Sequence, residues 1–296
     1  MKLQSKLLAF GLFNTCVLGT TAFAPIQSAS QVRPSMALGS LAQDIPAELG
    51  MFPSNLKLER YEGGDSLRTF QMPMDGDRCH YYLRTNGRPM NARIEMWQGP
   101  NRVTHTMDIY MQDGSQTPLR ALLKWKKGPQ VLRILNTGES EMPFDAGVEA
   151  VSPERSQRLE AVTLKTWEAN SDKKTILQGG YSHATGGGGG AVRSFPIDND
   201  AKSVQLLFWS GALGKKSCKA IIEVLQGPNN VKQKYDLSLS GSSQPYHLIL
   251  TTPGSGVTVR IQNKNFVEFP YEVMVLPFEK DAPSSGEWGG AAPEWR

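Results

Sequence analysis

The feature that most constrains the fold of this chain is an internal repeat. The segment IEMWQGPN begins at Ile94, and IEVLQGPN begins at Ile222, 128 positions later. The match continues beyond these eight residues without a gap, so that Asp108 corresponds to Asp236. A period above 100 residues is too long for a solenoid, whose repeats reach about 50 residues at most. The repeat therefore predicts two tandem copies of one fold.

The spacing between the two copies changes at only a few places. RTF at Arg68 corresponds to RSF at Arg193, 125 positions later, whereas Tyr61 corresponds to Tyr181 at 120. This five-residue change coincides with the glycine run 186–190, which predicts a loop that is longer in the second copy. The run lacks the Gly-Lys-Ser/Thr of a phosphate-binding loop, so we do not interpret it as a nucleotide site.

The segments within each copy have the pattern of short β-strands. They are rich in β-branched and aromatic residues, several alternate with period two, and turn signals such as Asn86-Gly87 separate them. Examples are HYYLRT, VQLLFW, KYDLSLS and VTVRIQN. Strands that recur about every ten residues are typical of antiparallel sandwiches. We therefore predict an all-β chain of two tandem homologous antiparallel β-sandwich domains, with an N-terminal targeting segment and a flexible C-terminal tail.

The repeated QGPN motif is interpreted as a structural turn after a strand. Proline fixes φ, and glycine supplies a permissive backbone, so this sequence suits a tight connection. The motif comprises Gln98, Gly99, Pro100 and Asn101 in the first copy, and Gln226, Gly227, Pro228 and Asn229 in the second.

The N-terminus has the features of a two-part targeting signal. Lys2 and Lys6 precede the apolar stretch 7–18, which is too short to span a bilayer. Residues 1–22 are therefore predicted to be a signal peptide. Residues 23–45 are predicted to be a plastid transit segment, since they begin with FAP, are rich in serine and alanine, and carry no acid before Asp44. The alternative is an ordinary secreted protein, but two remaining cysteines form no disulfide framework.

The charge of the remaining chain argues against binding to nucleic acid. The first 43 residues hold three of the 32 basic residues and none of the 28 acidic ones, which leaves 29 against 28. Nucleic-acid binding requires a basic patch or stripe, and this nearly neutral balance does not indicate one. We expect no membrane span in the mature chain.

The repeat and the composition together give a domain plan. We predict the first sandwich over 46–151, a connector over 152–172, and the second sandwich over 173–280. Within the connector, Ser152-Pro153 is typical of a helix start, whereas LEAVTLKTW alternates like a strand, so both readings stay open.

The last sixteen residues, 281–296, form a tail with too few apolar residues to fold alone. It carries two tryptophans, a residue type that often anchors interfaces. Trp288, Trp295 and Arg296 are therefore candidate assembly contacts on another copy or a partner. The alternative is that the tail folds back onto its own domain.

No catalytic, cofactor-binding or metal site is predicted, and we do not expect an enzyme. The histidines are scattered and lack zinc-ligand spacing: His80, His105, His183 and His247. Cys79 and His80 are neighbours on one strand, so their side chains point to opposite faces. Asp108 and Asp236 are each alone in their copy, which favours a turn or cross-strand contact over acid–base chemistry.

The FAP junction after residue 22, the tandem β-rich copies and the tryptophan-bearing tail together resemble the diatom pyrenoid shell proteins, the PyShell family. The resemblance covers most of the chain, from Phe23 to Arg296. It implies a structural protein of the plastid stroma whose copies self-assemble into a sheet or tube around the Rubisco-filled pyrenoid, supporting CO2 concentration and fixation. It implies no cofactor, and it makes Rubisco or the pyrenoid matrix a further candidate partner.

Two other classes remain open from the sequence. A tandem sandwich could be a carbohydrate-binding module, with Trp97, Trp125 or Trp209 as stacking platforms. The first two lack an aromatic counterpart in the second copy, so a duplicated sugar site is not supported. The other alternative is a stromal module that binds Rubisco without self-assembly.

Overall fold

The computed structural model describes residues 56–126, 128–180, 189–240 and 244–280, which contain sixteen β-strands and one long helix, α1. The first repeat comprises β1 (Glu59–Tyr61), β2 (Leu67–Gln71), β3 (Arg78–Arg84), β4 (Met90–Gln98), β5 (Arg102–Met111), β6 (Leu119–Lys124), β7 (Gln130–Asn136) and β8 (Phe144–Ala150). The connector is α1 (Pro153–Ala169) followed by a 3₁₀ turn (Ser171–Lys173). The second repeat comprises β9 (Thr175–Leu177), β10 (Val192–Pro196), β11 (Ala201–Trp209), β12 (Ser217–Gln226), β13 (Val231–Ser240), β14 (Tyr246–Thr251), β15 (Val257–Asn263) and β16 (Tyr271–Lys280), with a 3₁₀ turn (Gly211–Leu213) after β11.

These strands form two antiparallel sheets of eight strands each. Sheet A has the order β1-β8-β3-β6-β14-β11-β16-β9, and sheet B has the order β10-β15-β12-β13-β5-β4-β7-β2. Each repeat contributes four strands to each sheet, so each repeat is a sandwich of two four-stranded sheets. The predicted fold class, an all-β chain of two homologous antiparallel sandwiches, is confirmed.

The strand order within each repeat is that of a jelly roll. One sheet runs first, eighth, third, sixth, and the other runs second, seventh, fourth, fifth. The second repeat follows the same order in the opposite direction across each sheet, so that the complete order is a palindrome. A local twofold axis therefore relates the two repeats within the single chain.

The repeats are joined strand to strand, which the repeated sequence does not predict. In sheet B, β5 pairs with β13, and Asp108 lies directly opposite Asp236 on the local axis. In sheet A, β6 pairs with β14, with Arg120 opposite Ile249. We call these two strand pairs together the seam. The apolar core is continuous across it, since one cluster contains buried residues of both repeats.

The two sheets differ in how their faces are buried. In sheet B the inner strands alternate over most of their length; β7 and β15 both show buried and half-buried residues in turn. This is the pattern of strands with one face in the core and one face towards solvent. In sheet A the central strands β3 and β14 are buried on both faces over most of their length.

Helix α1 explains this difference because it covers the outer face of sheet A. The Oγ of Ser152 accepts a hydrogen bond from the Arg155 amide at 3.4 Å, and a proline occupies the first turn. Leu159 packs on Leu122, and further along the helix Trp167 packs on Leu207. The connector is thus helical, and the strand-like alternation of its sequence has no structural counterpart.

Several predictions fall outside the residues that the structure describes. They are the signal peptide and transit segment within 1–55, the part of the glycine run within 181–188, and the tail 281–296. These stay predictions, as do the domain boundaries. The described residues all lie in one compact unit.

Candidate interaction surfaces

Among the residues that the structure describes, four strands at the ends of the fused sandwich have a strand partner on one side only. β1 and β2 lie at one end, and β9 and β10 lie at the other. The sheet A edges β1 and β9 are three residues long, whereas the sheet B edges β2 and β10 are five residues long. Open edges present unpaired backbone groups that can pair with another strand, and very short edges present few of them. The sheet B edges are therefore the larger pairing surfaces.

Backbone hydrogen bonds show which groups of β2 face outwards. The Asn136 amide donates to the Ser66 carbonyl at 2.9 Å, and the Met72 amide donates to the Gln130 carbonyl at 3.0 Å. Since bonded and non-bonded residues alternate in an antiparallel pair, the amide of Thr69 points away from β7. The same alternation directs the amides of the neighbouring odd-numbered residues of β2 outwards.

The edge strand β10 is the counterpart of β2, with one difference. The Ile197 amide donates to the Val257 carbonyl at 2.9 Å, which directs the amides of Val192 and Ser194 outwards. Pro196 occupies the next outward position and has no amide hydrogen to offer. The two edges also share an exposed apolar residue, since Leu67 and Val192 are each 44% exposed. Sequence reasoning did not single out these residues, although the RTF and RSF repeat marks both strands.

The outer face of sheet B carries a ladder of ion pairs that is repeated about the local axis. These pairs join residues within one repeat and neutralise most of the charge on the face. They are Arg93–Asp108 at 2.5 Å, Arg133–Glu95 at 3.2 Å, Lys264–Asp236 at 2.7 Å and Arg260–Glu223 at 2.6 Å. Exposed pairs of this kind contribute about 0.2–1 kcal/mol each, so the face is polar without being a large source of stability.

The repeated aspartates meet at the centre of this ladder. Asp108 and Asp236 are direct cross-strand partners, and like charges in that position destabilise a sheet. Each is held by its own cation, since Arg93 donates to Asp108 and Lys264 donates to Asp236. Both carboxylates are thus occupied by local partners.

The QGPN motifs lie at the end of corresponding strands. Gln98 is the last residue of β4, and Gly99 follows it with φ at 66°. Gln226 is the last residue of β12, and Gly227 follows with φ at 82°. Both glycines adopt the left-handed conformation that other residues rarely take. Pro100, Asn101, Pro228 and Asn229 lie in the connections that follow.

The outer face of sheet A holds a buried polar network under α1. Arg78 is 1% exposed; its Nη2 donates to Gln244 Oε1 at 2.6 Å and its Nε donates to Ser156 Oγ at 3.2 Å. Ser156 in turn donates to Asp77 Oδ1 at 2.5 Å. This network links α1 to β3 of the first repeat and to Gln244, which precedes β14 of the second repeat. No sequence pattern identifies this network, because its members lie far apart along the chain.

Two of the histidines noted in the sequence lie on this outer face of sheet A. His80 and His247 are the cross-strand neighbours of Leu122 on either side, so the three form a row across the seam. Burial under α1 lowers the pKa of each imidazole to about 3, and the positive charge of Arg78 adds to this effect. Both histidines are therefore neutral at physiological pH. His183 lies outside the described residues.

The third described histidine lies inside the sandwich at the seam. His105 Nε2 is 3.4 Å from the Tyr81 hydroxyl, and the Tyr81 and Tyr246 hydroxyls are 2.5 Å apart. Burial lowers the pKa of His105 to about 3, so this imidazole is also neutral. His105, Tyr81 and Tyr246 thus join both repeats by hydrogen bonds through the core.

The two described cysteines are buried, free thiols. Burial raises the pKa of both Cys79 and Cys218 far above the usual value, which keeps them protonated and unreactive. Cys79 belongs to the core between the sheets, whereas its neighbour His80 lies under α1, so the two do not meet. Within the part of the chain that the structure describes, no group of three metal-ligating side chains is present.

The three tryptophans considered as sugar platforms are all engaged within the protein. Trp97 lies under the Arg133 guanidinium, 5.2 Å from the ring centre, and its Nε1 donates to Glu95. Trp125 is 7% exposed. Trp209 packs edge-on against Trp167 of α1, with the ring centres 5.5 Å apart. The other candidate contacts, Trp288, Trp295 and Arg296, lie outside the described residues.

None of the described helices is long and apolar enough to cross a membrane.

Comparison with known proteins gives one informative match. The sequence model of a family described as "Diatom pyrenoid shell protein" matches residues 52–277, which is more than half of the chain and includes strands of both repeats. No protein with a curated description matches. Among solved structures, vicilin from hazelnut (Corylus avellana) is 9% identical over 75% of this chain and 85% of that chain. At a TM-score of 0.16, this likeness supports no conclusion.

Proposed function

Because this chain belongs to the diatom pyrenoid shell protein family, we propose that it is a structural subunit that assembles with copies of itself into a sheet-like protein shell. The shell encloses the Rubisco-containing pyrenoid in the plastid stroma and supports CO2 concentration and fixation there. The subunit acts without catalysis and without a cofactor. The targeting signals expected in residues 1–45 agree with a plastid destination.

The observation that carries this proposal is the position of the open edges. β2 and β10 lie at opposite ends of sheet B, each with outward amides and an exposed apolar side chain. Pairing of β2 of one copy with β10 of the next would extend sheet B from molecule to molecule. Such a contact joins two different surfaces, so it propagates instead of closing into a dimer.

Charge supports dense association of many copies. The chain without its first 43 residues carries nearly equal numbers of basic and acidic residues, and the outer face of sheet B is neutralised by its own ion pairs. Weak self-repulsion permits close packing. The tail provides a further contact in this proposal, with Trp288, Trp295 and Arg296 docking on a neighbouring copy.

Electron microscopy of the purified chain tests the proposal. We expect ordered sheets or tubes, and a monomer that persists at high concentration would contradict it. Thr69→Pro removes one outward amide of β2 without touching the pairs with β7, so it should abolish or strongly reduce assembly while the melting temperature changes little. Thr69→Val is the matched control, because it keeps the amide and should assemble like the wild type.

Two further variants test separately the contributions of the β10 edge and of the tail to assembly. Ser194→Pro acts on the opposite edge and should have the same effect as Thr69→Pro. Deletion of residues 281–296 should weaken assembly without abolishing the edge contact. If both proline variants form normal sheets, the edges are not the contact. Sedimentation with Rubisco in the absence of any self-assembly would favour a Rubisco-binding module instead.

A further inference from the structure

A cavity of about 50 Å³ lies between the two sheets beside the seam. It is lined by residues of β4, β5, β6 and β7 from the first repeat and of β13 and β14 from the second. A single water needs about 10–15 Å³ of such space, so the cavity has room for a molecule of several heavy atoms. Because both repeats line it, the cavity exists only in the joined sandwich.

Three buried side chains that line the cavity have an unpaired polar atom. His105, Trp125 and Gln130 are 2%, 7% and 1% exposed. Among the described residues, no hydrogen-bond partner is present for His105 Nδ1, Trp125 Nε1 or Gln130 Oε1. Leaving such groups unpaired costs about 1–3 kcal/mol each, so a group of three around one cavity indicates a missing polar occupant.

The chemistry of these atoms restricts the occupant. The indole Nε1 of Trp125 can only donate, so the occupant must accept a hydrogen bond. Gln130 Nε2 donates to the Lys126 carbonyl at 3.4 Å, which leaves Oε1 as the free atom. This amide oxygen can only accept, so the occupant must also donate. His105 Nδ1 can take either role, according to its tautomer.

The charges around the cavity favour an anion. Arg102, Lys124 and Lys126 line it, and no carboxylate does. Lys124 is paired with Glu160 at 2.8 Å, whereas Arg102 and Lys126 form no ion pair with any described residue. Two cations without a partner therefore stand beside a cavity that contains one donor, one acceptor and one neutral imidazole.

The second repeat lacks three of these cavity-lining side chains at the corresponding positions. Gln233 stands in place of His105 and is fully paired, since Nε2 donates to the Thr251 carbonyl at 2.8 Å and Oε1 accepts from Tyr235 at 2.6 Å. Val257 replaces Gln130, and Asn230 replaces Arg102. The unpaired atoms are thus not a property of the fold, because the same fold is satisfied without them.

We propose that this cavity binds a small oxyanion that retains one hydroxyl group, of the size of hydrogencarbonate or monohydrogen phosphate. The Trp125 indole donates to an oxygen of the anion, Gln130 Oε1 accepts from its hydroxyl, and Arg102 and Lys126 balance its charge. The site goes beyond the shell function, since it requires one copy of the chain and no assembly.

Ligand-observed NMR of the purified chain tests the site with ¹³C-labelled sodium hydrogencarbonate and, separately, with sodium phosphate by ³¹P. We expect saturable line broadening with at least one of the two. Sodium acetate has no hydroxyl at neutral pH and should compete at least about tenfold less well, and sodium chloride at equal ionic strength should not compete. If only hydrogencarbonate or only phosphate binds, the result shows which size of anion the cavity accepts. Binding of neither, or equal competition by acetate and chloride, would overturn the proposal.

Variants taken from the second repeat locate the binding. Gln130→Val should weaken binding about tenfold or more, since a hydrogen bond to a charged ligand is lost. Arg102→Asn changes an exposed residue that the fold does not need, so it should weaken binding even if Gln130→Val fails to fold. Lys234→Gln removes an exposed cation of the second repeat that lies five residues before Leu239 along β13, and it serves as control. Unchanged binding in Arg102→Asn, or an equal loss in Lys234→Gln, would place the anion elsewhere.

Discussion

The two sheets of this protein are built from corresponding strands, yet their outer faces have different environments. Sheet A is covered by α1, and its outer face holds Leu122, Leu207 and the buried Arg78 network. Sheet B has a polar outer face of exposed ion pairs and the two longer open edges. The comparison indicates that the covered face stabilises the joined repeats, whereas the edges of sheet B are the surfaces through which we propose that molecules join.

The largest expected effect is on the covered face. Trp167→Ala removes an indole that packs on Trp209 and Leu207, so it should lower the free energy of unfolding by about 3–5 kcal/mol. Chemical denaturation measures the change. Lys165→Ala, on the exposed side of the same helix, should change stability by less than about 0.5 kcal/mol. Equal effects of the two variants would show that α1 does not stabilise sheet A.

Acid should destabilise the covered face through its histidines. The folded pKa of His247 is about 3, whereas an unfolded histidine titrates near 6.5, so the unfolded chain takes up the proton first. Stability is therefore complete above about pH 6.5 and is lost as the pH falls towards 3. The loss at pH 5 is about 2 kcal/mol for this residue.

His247→Gln cannot titrate in this range, so its stability between pH 7 and 5 should fall by about 2 kcal/mol less than that of the wild type. Denaturation at both pH values measures the difference. An identical pH dependence in the two proteins would mean that His247 is not buried in its neutral form.

Removal of one buried tyrosine hydroxyl should lower the stability by a similar amount on the inner face of either sheet, whereas the outer faces of the two sheets differ. Tyr246→Phe in sheet A removes the hydrogen bond to Tyr81, and Tyr235→Phe in sheet B removes the one to Gln233. Each should cost about 1 kcal/mol, because each deletes one buried hydrogen bond and keeps the ring. Thermal unfolding compares the two. A cost near zero in either would show that the hydroxyl is not needed at that site.

The smallest effect is expected on the exposed face of sheet B. Asp108→Asn weakens the pair with Arg93 but also removes the like charge opposite Asp236. The two effects oppose each other, so stability should change by less than about 0.5 kcal/mol. The difference from the wild type should shrink further when salt is raised from 0.05 M to 1 M. A change above 1 kcal/mol would mark this ladder as a source of stability.

The sequence predicted the repeat, the sandwich class and the position of several strands, because alternation with period two and turn residues are local signals. It did not predict the helix in the connector, since LEAVTLKTW fits both periods and only the contact of Trp167 with sheet A decides between them. The seam was also not predicted. Pairing of β5 with β13 depends on which edges meet in space, and each strand alone has the same pattern with or without a partner.

The candidate surfaces likewise include features that the sequence predicts and features that it does not. The QGPN turns are visible in the sequence because glycine and proline have strong local preferences. The outward amides of Thr69 and Ser194 are not, since they depend on the register with neighbouring strands. The cavity beside the seam combines residues separated by more than 100 positions, and its unpaired atoms can be recognised only in the folded chain.

Hydrogen–deuterium exchange of the free and assembled protein tests the central claim most directly, because it measures whether the open edges of sheet B join molecules together. The outward amides of the two edges should become protected on assembly, namely those of Leu67, Thr69, Gln71, Val192 and Ser194. The amides of the seam strands β5 and β13 should exchange equally slowly in both states. Unchanged exchange at both edges in ordered assemblies would contradict the account.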